Sequence, residues 1–332
     1  MELGGILATL WMPEELSDLH LPWEEFHAVH PRRTRESWSC RRKTRRGGPA
    51  KYNAKPEDVA RAEKLWELMS QMQELVDTKI ATEVNVALPN TCAIAFLSDA
   101  HIGGIGTDHK ALLRDIDIIA TTPDLYVYLG GDAIDNFILP KLMNASREQM
   151  INVAPQWKLL EDILRRLGDK VICVGDGNHT AWTQQLAGFD YLAEICSKWN
   201  LIYTGEGGLC NLTIGNQLYR IFRHHKFRFS SYMHLSHTVL KMWETGPCDF
   251  DIGCVEHHHR PHIEEFWKHG KYKIAIRTGS YKINDAYANS HGFYGASSLV
   301  PTVVLNNDKF KMTPFLDMND ASLFLKATNA TT

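Results

Sequence analysis

From residue 91 onward the chain alternates short apolar runs with stretches of helical period. TCAIAFLSD (91–99), LYVYLGGD (125–132) and KVICVGD (170–176) are rich in β-branched and aromatic residues, and each is followed by an amphipathic segment. Those segments are HKALLRDIDIIA (109–120), WKLLEDILRRL (157–167) and FDYLAEICSKW (189–199). Three further runs follow at LYRIFRHH (218–225), FDIGCVEHH (250–258) and YKIAIRTGS (272–280). Buried strands separated by helices predict an α/β fold. Gly215 and Asn216, between TI and QLYR, predict a hairpin turn leading into the fourth of these strands.

Before residue 88 the pattern is different. LPWEEFHAVH is compact and amphipathic, and KPEDVARAEKLWELMSQMQELVDTK carries Pro56 near a helix start with apolar positions at helical spacing. The division expected is a small helical, basic N-terminal region (1–88), an α/β domain (89–315) and a less regular tail (316–332). Charge sharpens this division. The whole chain of 332 residues carries a net charge of −3, which excludes a wholly basic nucleic-acid coat. Yet PRRTRESWSCRRKTRRGGPA gathers Arg32, Arg33, Arg35, Arg41, Arg42, Lys43, Arg45 and Arg46 around Trp38. One reading is a helix-turn-helix-like element whose Arg41, Arg42, Lys43, Arg45 and Arg46 neutralise nucleic-acid phosphates. The other is a solvated basic linker ending at Gly47-Gly48-Pro49.

Seven cysteines, odd in number and scattered, several of them inside apolar runs, argue against a disulfide framework and for a reducing compartment. The N-terminus lacks a basic n-region, and no apolar segment reaches membrane length. A cytoplasmic protein without a membrane partner is the expectation.

Strand after strand ends in an acid, amide or histidine. The first brings Asp99 and His101, the second Asp132 and Asp135 after Gly130-Gly131, and the third Asn178 and His179. The fourth ends in His224 and His225, and the fifth runs into His257, His258 and His259. On an extended strand His257 and His259 would share one side and His258 would take the other. Gly130 and Gly131 are suited to a tight turn. Ligands of α/β sheets gather beyond the carboxyl ends of strands, so these groups can meet at one site. Asp99, His101, Asp132, Asn178, His225, His257 and His259 are nitrogen and oxygen donors with no thiolate among them. Such a set suits Mn²⁺, Fe or Zn²⁺, and seven donors suit two ions sharing one carboxylate.

In order and spacing, D-x-H (Asp99, His101), G-D-x-x-D (Gly131, Asp132, Asp135), G-N-H (Gly177, Asn178, His179), a lone strand-end histidine and H-x-H (His257, His259) resemble the calcineurin-like metallophosphoesterases over about residues 91–262. The resemblance implies a four-layer double β-sandwich flanked by helices. It also implies a dinuclear metal centre that cleaves phosphoesters by in-line attack of a water shared between the ions. Carried over residue by residue, one ion takes Asp99, His101, Asp132 and His259, and the other takes Asp132, Asn178, His225 and His257. His179 would protonate the leaving oxygen, and Asp135 would hold its imidazole. Mn²⁺ is the expected metal, with Fe, Zn²⁺ and Ni²⁺ as alternatives. The chain departs from the family at Glu256, where a glycine is usual, at Thr180, where an acid is common, and at the doubled His224-His225, of which His225 is favoured.

Substrate is less legible. Arg223, Lys226 and Arg228 beside the lone-histidine block suit a phosphate clamp, or an exposed strand flank. His234 and His237 stand i, i+3 on one expected helix face, as surface residues. The segment RTGSYKINDAYANSHGFYG (277–295) could wall the cleft. A phosphodiesterase acting on nucleic acid, probed by endo- or exonucleolytic cutting of DNA, is the leading reading. A phosphatase or small-molecule (nucleotide) phosphodiesterase is the alternative, and a non-catalytic scaffold of the same fold is the third.

Overall fold

A computed structural model describes residues 13–46, 56–77, 83–139, 149–284, 289 and 296–329, and the chain falls into two compact units, Met1–Met72 and Gln73–Thr332. In the smaller unit α1 (Pro13–Ser17) and a turn of 3₁₀ helix (Asp18–His20) lead to α2 (Trp23–Val29), α3 (Arg35–Arg46) and α4 (Pro56–Asp77). Phe26 and Leu19 are fully buried, and the rings of His30 and Trp38 lie 4.7 and 6.4 Å from that of Phe26. Arg33 grips Glu15 through two bonds of 2.8 and 2.6 Å. Thr34 caps α3, its hydroxyl accepting the Ser37 N–H at 3.2 Å. From Arg35 to Arg46 the basic block is therefore helical. Arg42 covers the Trp38 ring at 4.9 Å, while the side chains of Lys43, Arg45 and Arg46 and the residues 47–55 lie outside the described residues.

The larger unit carries two mixed sheets. Its strands are β1 (Glu83–Leu88), β2 (Cys92–Leu97), β3 (Leu125–Leu129), β4 (Val171–Val174), β5 (Gly207–Ile214), β6 (Gln217–His224), β7 (Ile252–Val255), β8 (His262–Lys268), β9 (Lys271–Arg277), β10 (Thr302–Leu305) and β11 (Met312–Phe315). The sheet orders are β1-β5-β6-β7-β9-β8 and β11-β10-β2-β3-β4. β2, β3 and β4 run parallel, as do β6, β7 and β9, so the carboxyl ends of each set lie together. Gly215 at φ +54° turns the predicted β5–β6 hairpin.

The sheets face each other across a common core. Cys92, Ile94 and Phe96 of β2 point into it and meet Ile221, Ile252, Ile274 and Ile276 of the other sheet. The alternate residues Ala93, Ala95 and Leu97 face α5 (His109–Thr121), α6 (Val153–Leu167), α8 (Tyr191–Lys198) and α10 (Met318–Asn329). This double coverage explains why CAIAFL is continuously apolar. Full burial of one such phenylalanine contributes about 1.5–3 kcal/mol. The far face of the six-stranded sheet is covered by α9 (His237–Thr245) through Val239 and Met242, which pack on Phe222, Val255 and Ala275. The result is the four-layer α/β/β/α sandwich that the motif resemblance implies.

Three local readings change. Glu83–Leu88, inside the stretch read as helical, is a strand paired in parallel with β5. The segment after Pro314 contains a helix: α10 buries Met318, Ala321 and Leu325, while Leu323 and Phe324 face outward and blur the helical period in the sequence. His234 is not on the helix with His237; α9 begins at His237, and His234 lies in the preceding turn, its carbonyl accepting the His237 N–H at 3.0 Å.

Candidate metal centre

The groups gathered at the strand ends lie just past the strands and not on them. β2 stops at Leu97 and β7 at Val255. Asp99, His101, Asp132, His257 and His259 then take left-handed backbone, with φ of 50°, 45°, 52°, 71° and 58°. Such conformations are costly for residues with a Cβ and concentrate where a site requires them. The alternation argument for His257 and His259 accordingly fails. With the strand ended, each residue turns separately, and the two imidazoles join different groups.

In the first group Asp99 Oδ1 lies 3.2 Å from His259 Nε2, and His101 Nε2 lies 3.2 Å from the same nitrogen. In the second, His225 Nε2 is 3.2 Å from both Asp132 Oδ2 and Asn178 Oδ1, and His257 Nδ1 is 3.9 Å from Asp132 Oδ2. Asp132 belongs with His101 as well as with His225 and His257, so its carboxylate stands between the two groups. About 2.1 Å from a shared cation, neighbouring ligand atoms stand roughly 3.0–3.4 Å apart, which matches the 3.2 Å separations, while His257 stands farther out at 3.9 Å. Asp99 Oδ1 and His257 Nδ1 are buried without a hydrogen-bond partner, although Asp99 Oδ1 has the His259 nitrogen nearby outside hydrogen-bond geometry. The set can hold two divalent cations of the nitrogen- and oxygen-binding kind. His224 and His258 belong to neither group among the described residues.

Electrostatics favours ionised carboxylates. Burial opposes charge on Asp99 and Asp132, but the neighbouring His259 for the first, and the His225 charge and hydrogen bond for the second, more than offset it. Both acids are held below the usual carboxylate range. Burial also opposes charge on His225, yet Asp132 and Glu256 raise its pKa well above the ordinary value.

His179, the second residue of α7 (Asn178–Ala187), is 8% exposed and close to the second group, its N–H donating to Asp132 Oδ1 at 2.8 Å. Its ring packs on Trp182 at 4.1 Å and edge-on to Phe137 at 5.0 Å. Burial pushes it down to about 4, so the imidazole is neutral near pH 7. Its Nδ1 donates to the backbone oxygen of Asp135 at 2.5 Å. The expected carboxylate partnership is thereby corrected. The Asp135 carboxylate instead meets His101 Nδ1 at 3.2 Å and the buried Lys282 ammonium at 2.8 Å. A backbone carbonyl suffices to set the His179 tautomer, and the acid is left to orient a candidate ligand.

The expected phosphate clamp is corrected in part. Arg223 is fully buried and paired with Glu256, because it continues the inward register of Tyr219 and Ile221 on β6. That alternation was readable in LYRIFRHH. Lys226 and Arg228 are exposed and line a surface cavity with His224, Phe227, Phe229 and Thr245. Residues 285–288 and 290–295 of the candidate cleft wall lie outside the described residues. Gly130 and Gly131 have no positive φ; they are small because Cβ atoms there would stand 2.4 Å from Glu256 Oε1 and 2.4 Å from the Asp176 carbonyl oxygen. Sequence reasoning also missed Lys282, Phe137 and Ser98, whose hydroxyl donates to Asp99 Oδ2 at 2.5 Å; none carries a signal outside the tertiary structure.

No protein-family profile matches the chain, and no curated protein sequence does. Among solved structures it is similar to Vps29 from Entamoeba histolytica complexed with zinc, at 13% identity and TM-score 0.37, over 67% of this chain and 98% of that one. It is similar also to the nuclease MPE of Pseudomonas putida, at 12% identity and TM-score 0.32, over 67% of this chain and 87% of that one. A metallophosphoesterase from Sphaerobacter thermophilus matches at 13% identity and TM-score 0.32, over 72% and 95% of the two chains. With its motif blocks at the strand ends of a four-layer α/β/β/α sandwich, the chain has the fold of the calcineurin-like metallophosphoesterases.

Proposed function

We propose that this chain is a dinuclear metal-dependent phosphodiesterase acting on nucleic acid. The observation that carries the catalytic part is the Asp132 carboxylate, set between two groups of imidazole and carboxylate donors. One ion would be held by Asp99, His101, Asp132 and His259, the other by Asp132, Asn178, His225 and His257. The absence of thiolates fits Mn²⁺. Divalent ions so held supply an acidified water and neutralise charge developing on phosphorus. Asp135 and Lys282 orient His101, and Ser98 orients Asp99. His179 stands next to Asn178 with its Nδ1 committed to a carbonyl, so Nε2 is the atom left to exchange a proton with the leaving oxygen. Because burial keeps that ring neutral, it acts as a proton donor only when the negative charge of a bound phosphoester raises its pKa.

The nucleic-acid part rests on α3, where Arg41, Arg42, Lys43, Arg45 and Arg46 fall within one and a half turns of helix. Metal-stripped full-length protein supplied with Mn²⁺ should cut end-labelled DNA. Replacing these five residues by glutamine should weaken DNA binding and flatten its salt dependence, while a chromogenic phosphodiester is still turned over. DNA cutting untouched by the replacement would remove α3 from substrate binding. Turnover of the chromogenic diester without any DNA cutting would favour a small-molecule substrate, and no turnover of either would favour a non-catalytic scaffold.

A further inference from the structure

Glu256 stands where a glycine is usual, and Arg223 is an arginine in the core; neither has a part in the chemistry above. The two form a closed pair. Arg223 is 0% and Glu256 1% exposed, with Nε donating to Oε1 at 2.5 Å and Nη2 to Oε2 at 3.0 Å. Oε2 also accepts the Gly131 N–H at 2.8 Å and faces His225 Nδ1 at 3.0 Å. The rest of the guanidinium reaches two carbonyls, Gly205 at 2.8 Å and Asp176 at 2.9 Å. Room for the pair is cut from neighbouring backbone. A Cβ on Gly175 would stand 1.9 Å from Arg223 Cζ, and one on Gly130 would stand 2.4 Å from Glu256 Oε1.

We propose that Glu256 and Arg223 are positioning residues for the half of the metal centre formed by His225 and Asn178, an inference that rests on the dinuclear reading. A carboxylate at Nδ1 keeps the imidazole proton on that nitrogen and turns the Nε2 lone pair toward Asp132 and Asn178. Arg223 cancels the buried charge of Glu256. Through the Asp176 carbonyl, two residues before Asn178, it also ties the loop after β4 to the end of β6. Two candidate ligands from two different sheets are thus held in one frame. The other group, Asp99, His101 and His259, is braced separately by Ser98, Asp135 and Lys282.

The test is calorimetric titration of MnCl₂ into the metal-stripped full-length chain, with circular dichroism verifying the fold. Wild type should take up two Mn²⁺. Glu256→Gln should keep one uptake event at wild-type affinity and weaken the other by about 10–100-fold, as loss of a ligand-orienting carboxylate does. His224→Ala, a neighbour outside both groups, should leave both events unchanged. Both events within twofold of wild type in Glu256→Gln, or both weakened equally in a folded chain, would overturn the proposal, because a merely structural pair does not select one site. Should Glu256→Gln fail to fold, Glu256→Asp, which keeps the charge but withdraws it from Nδ1, is judged by the same outcomes. Fewer than two Mn²⁺ taken up by wild type would instead sink the dinuclear reading itself.

Discussion

At the scale of single residues, five of the ten left-handed non-glycine positions among the described residues are the most telling feature of the chain. Asp99, His101, Asp132, His257 and His259 adopt a conformation unfavourable to residues with a Cβ, and each carries a candidate metal donor. The local cost falls on the residues whose side chains must leave the strand direction to converge. His179 differs: it sits in regular helix geometry at the start of α7, and its ring lies near His101 and Asp132 but outside the groups that hold His259 and His225. Replacing it with alanine should leave bound Mn²⁺ unchanged and reduce turnover of a phosphodiester by about 10²–10⁴-fold, the usual contribution of a positioned proton-transfer group. Metal analysis beside steady-state kinetics checks both halves. A loss below tenfold would remove His179 from the reaction.

At the scale of elements, strands were more legible than what they do at their ends. β2, β3, β4, β6, β7 and β9 lie where apolar runs predicted them; in β2 and β7 burial on both faces writes itself as an unbroken apolar string, and in β6 the inward face alternates with polar positions. β1 was missed because it is a short, partly exposed edge strand whose alternation of Val84 and Val86 with Glu83 and Asn85 is brief. Helix α5 carries a titratable group independent of the centre. Asp115, buried beside Tyr281 at 2.8 Å, has its pKa raised above the ordinary carboxylate value because burial opposes its charge. An acid with a raised folded-state pKa costs nothing below its unfolded value and draws stability away as pH rises through the folded one. Asp115→Asn, which keeps an acceptor for the Tyr281 hydroxyl, should therefore raise the melting temperature at pH 7 and have little effect near pH 4. Equal shifts at both pH values would show that the carboxylate charge is not the cause.

At the scale of the whole molecule, candidate donors from both sheets meet in one place, so cation binding should report on the larger unit as a whole. Asp99 and Asp132 follow strands of the five-stranded sheet, and His225 and His257 follow strands of the other. Ions that bind only the assembled site stabilise the fold by about 2.7 kcal/mol when present at 100 times the dissociation constant. Chelation followed by calorimetric melting should lower the melting temperature by roughly 5–10 °C, with recovery on addition of Mn²⁺. A melting curve indifferent to chelator and to Mn²⁺ would argue against a structural share for the metal. Among the described residues no helix is long and apolar enough to cross a membrane.

By itself the sequence determined the α/β pattern, the seven candidate donors and their order along the chain, because periodicity and residue chemistry are local properties. Only the tertiary structure decided how those donors are oriented and braced. His257 and His259 part company because the strand ends before them. The Asp135 carboxylate turns to His101 and not His179, and Arg223 pairs inward with Glu256 and does not face a substrate. Each of these outcomes depends on a partner from another strand or another sheet, 33 positions away in the case of Arg223 and Glu256. Hydrogen-bond partners at that separation are chosen by packing, and packing leaves no periodic trace in the chain.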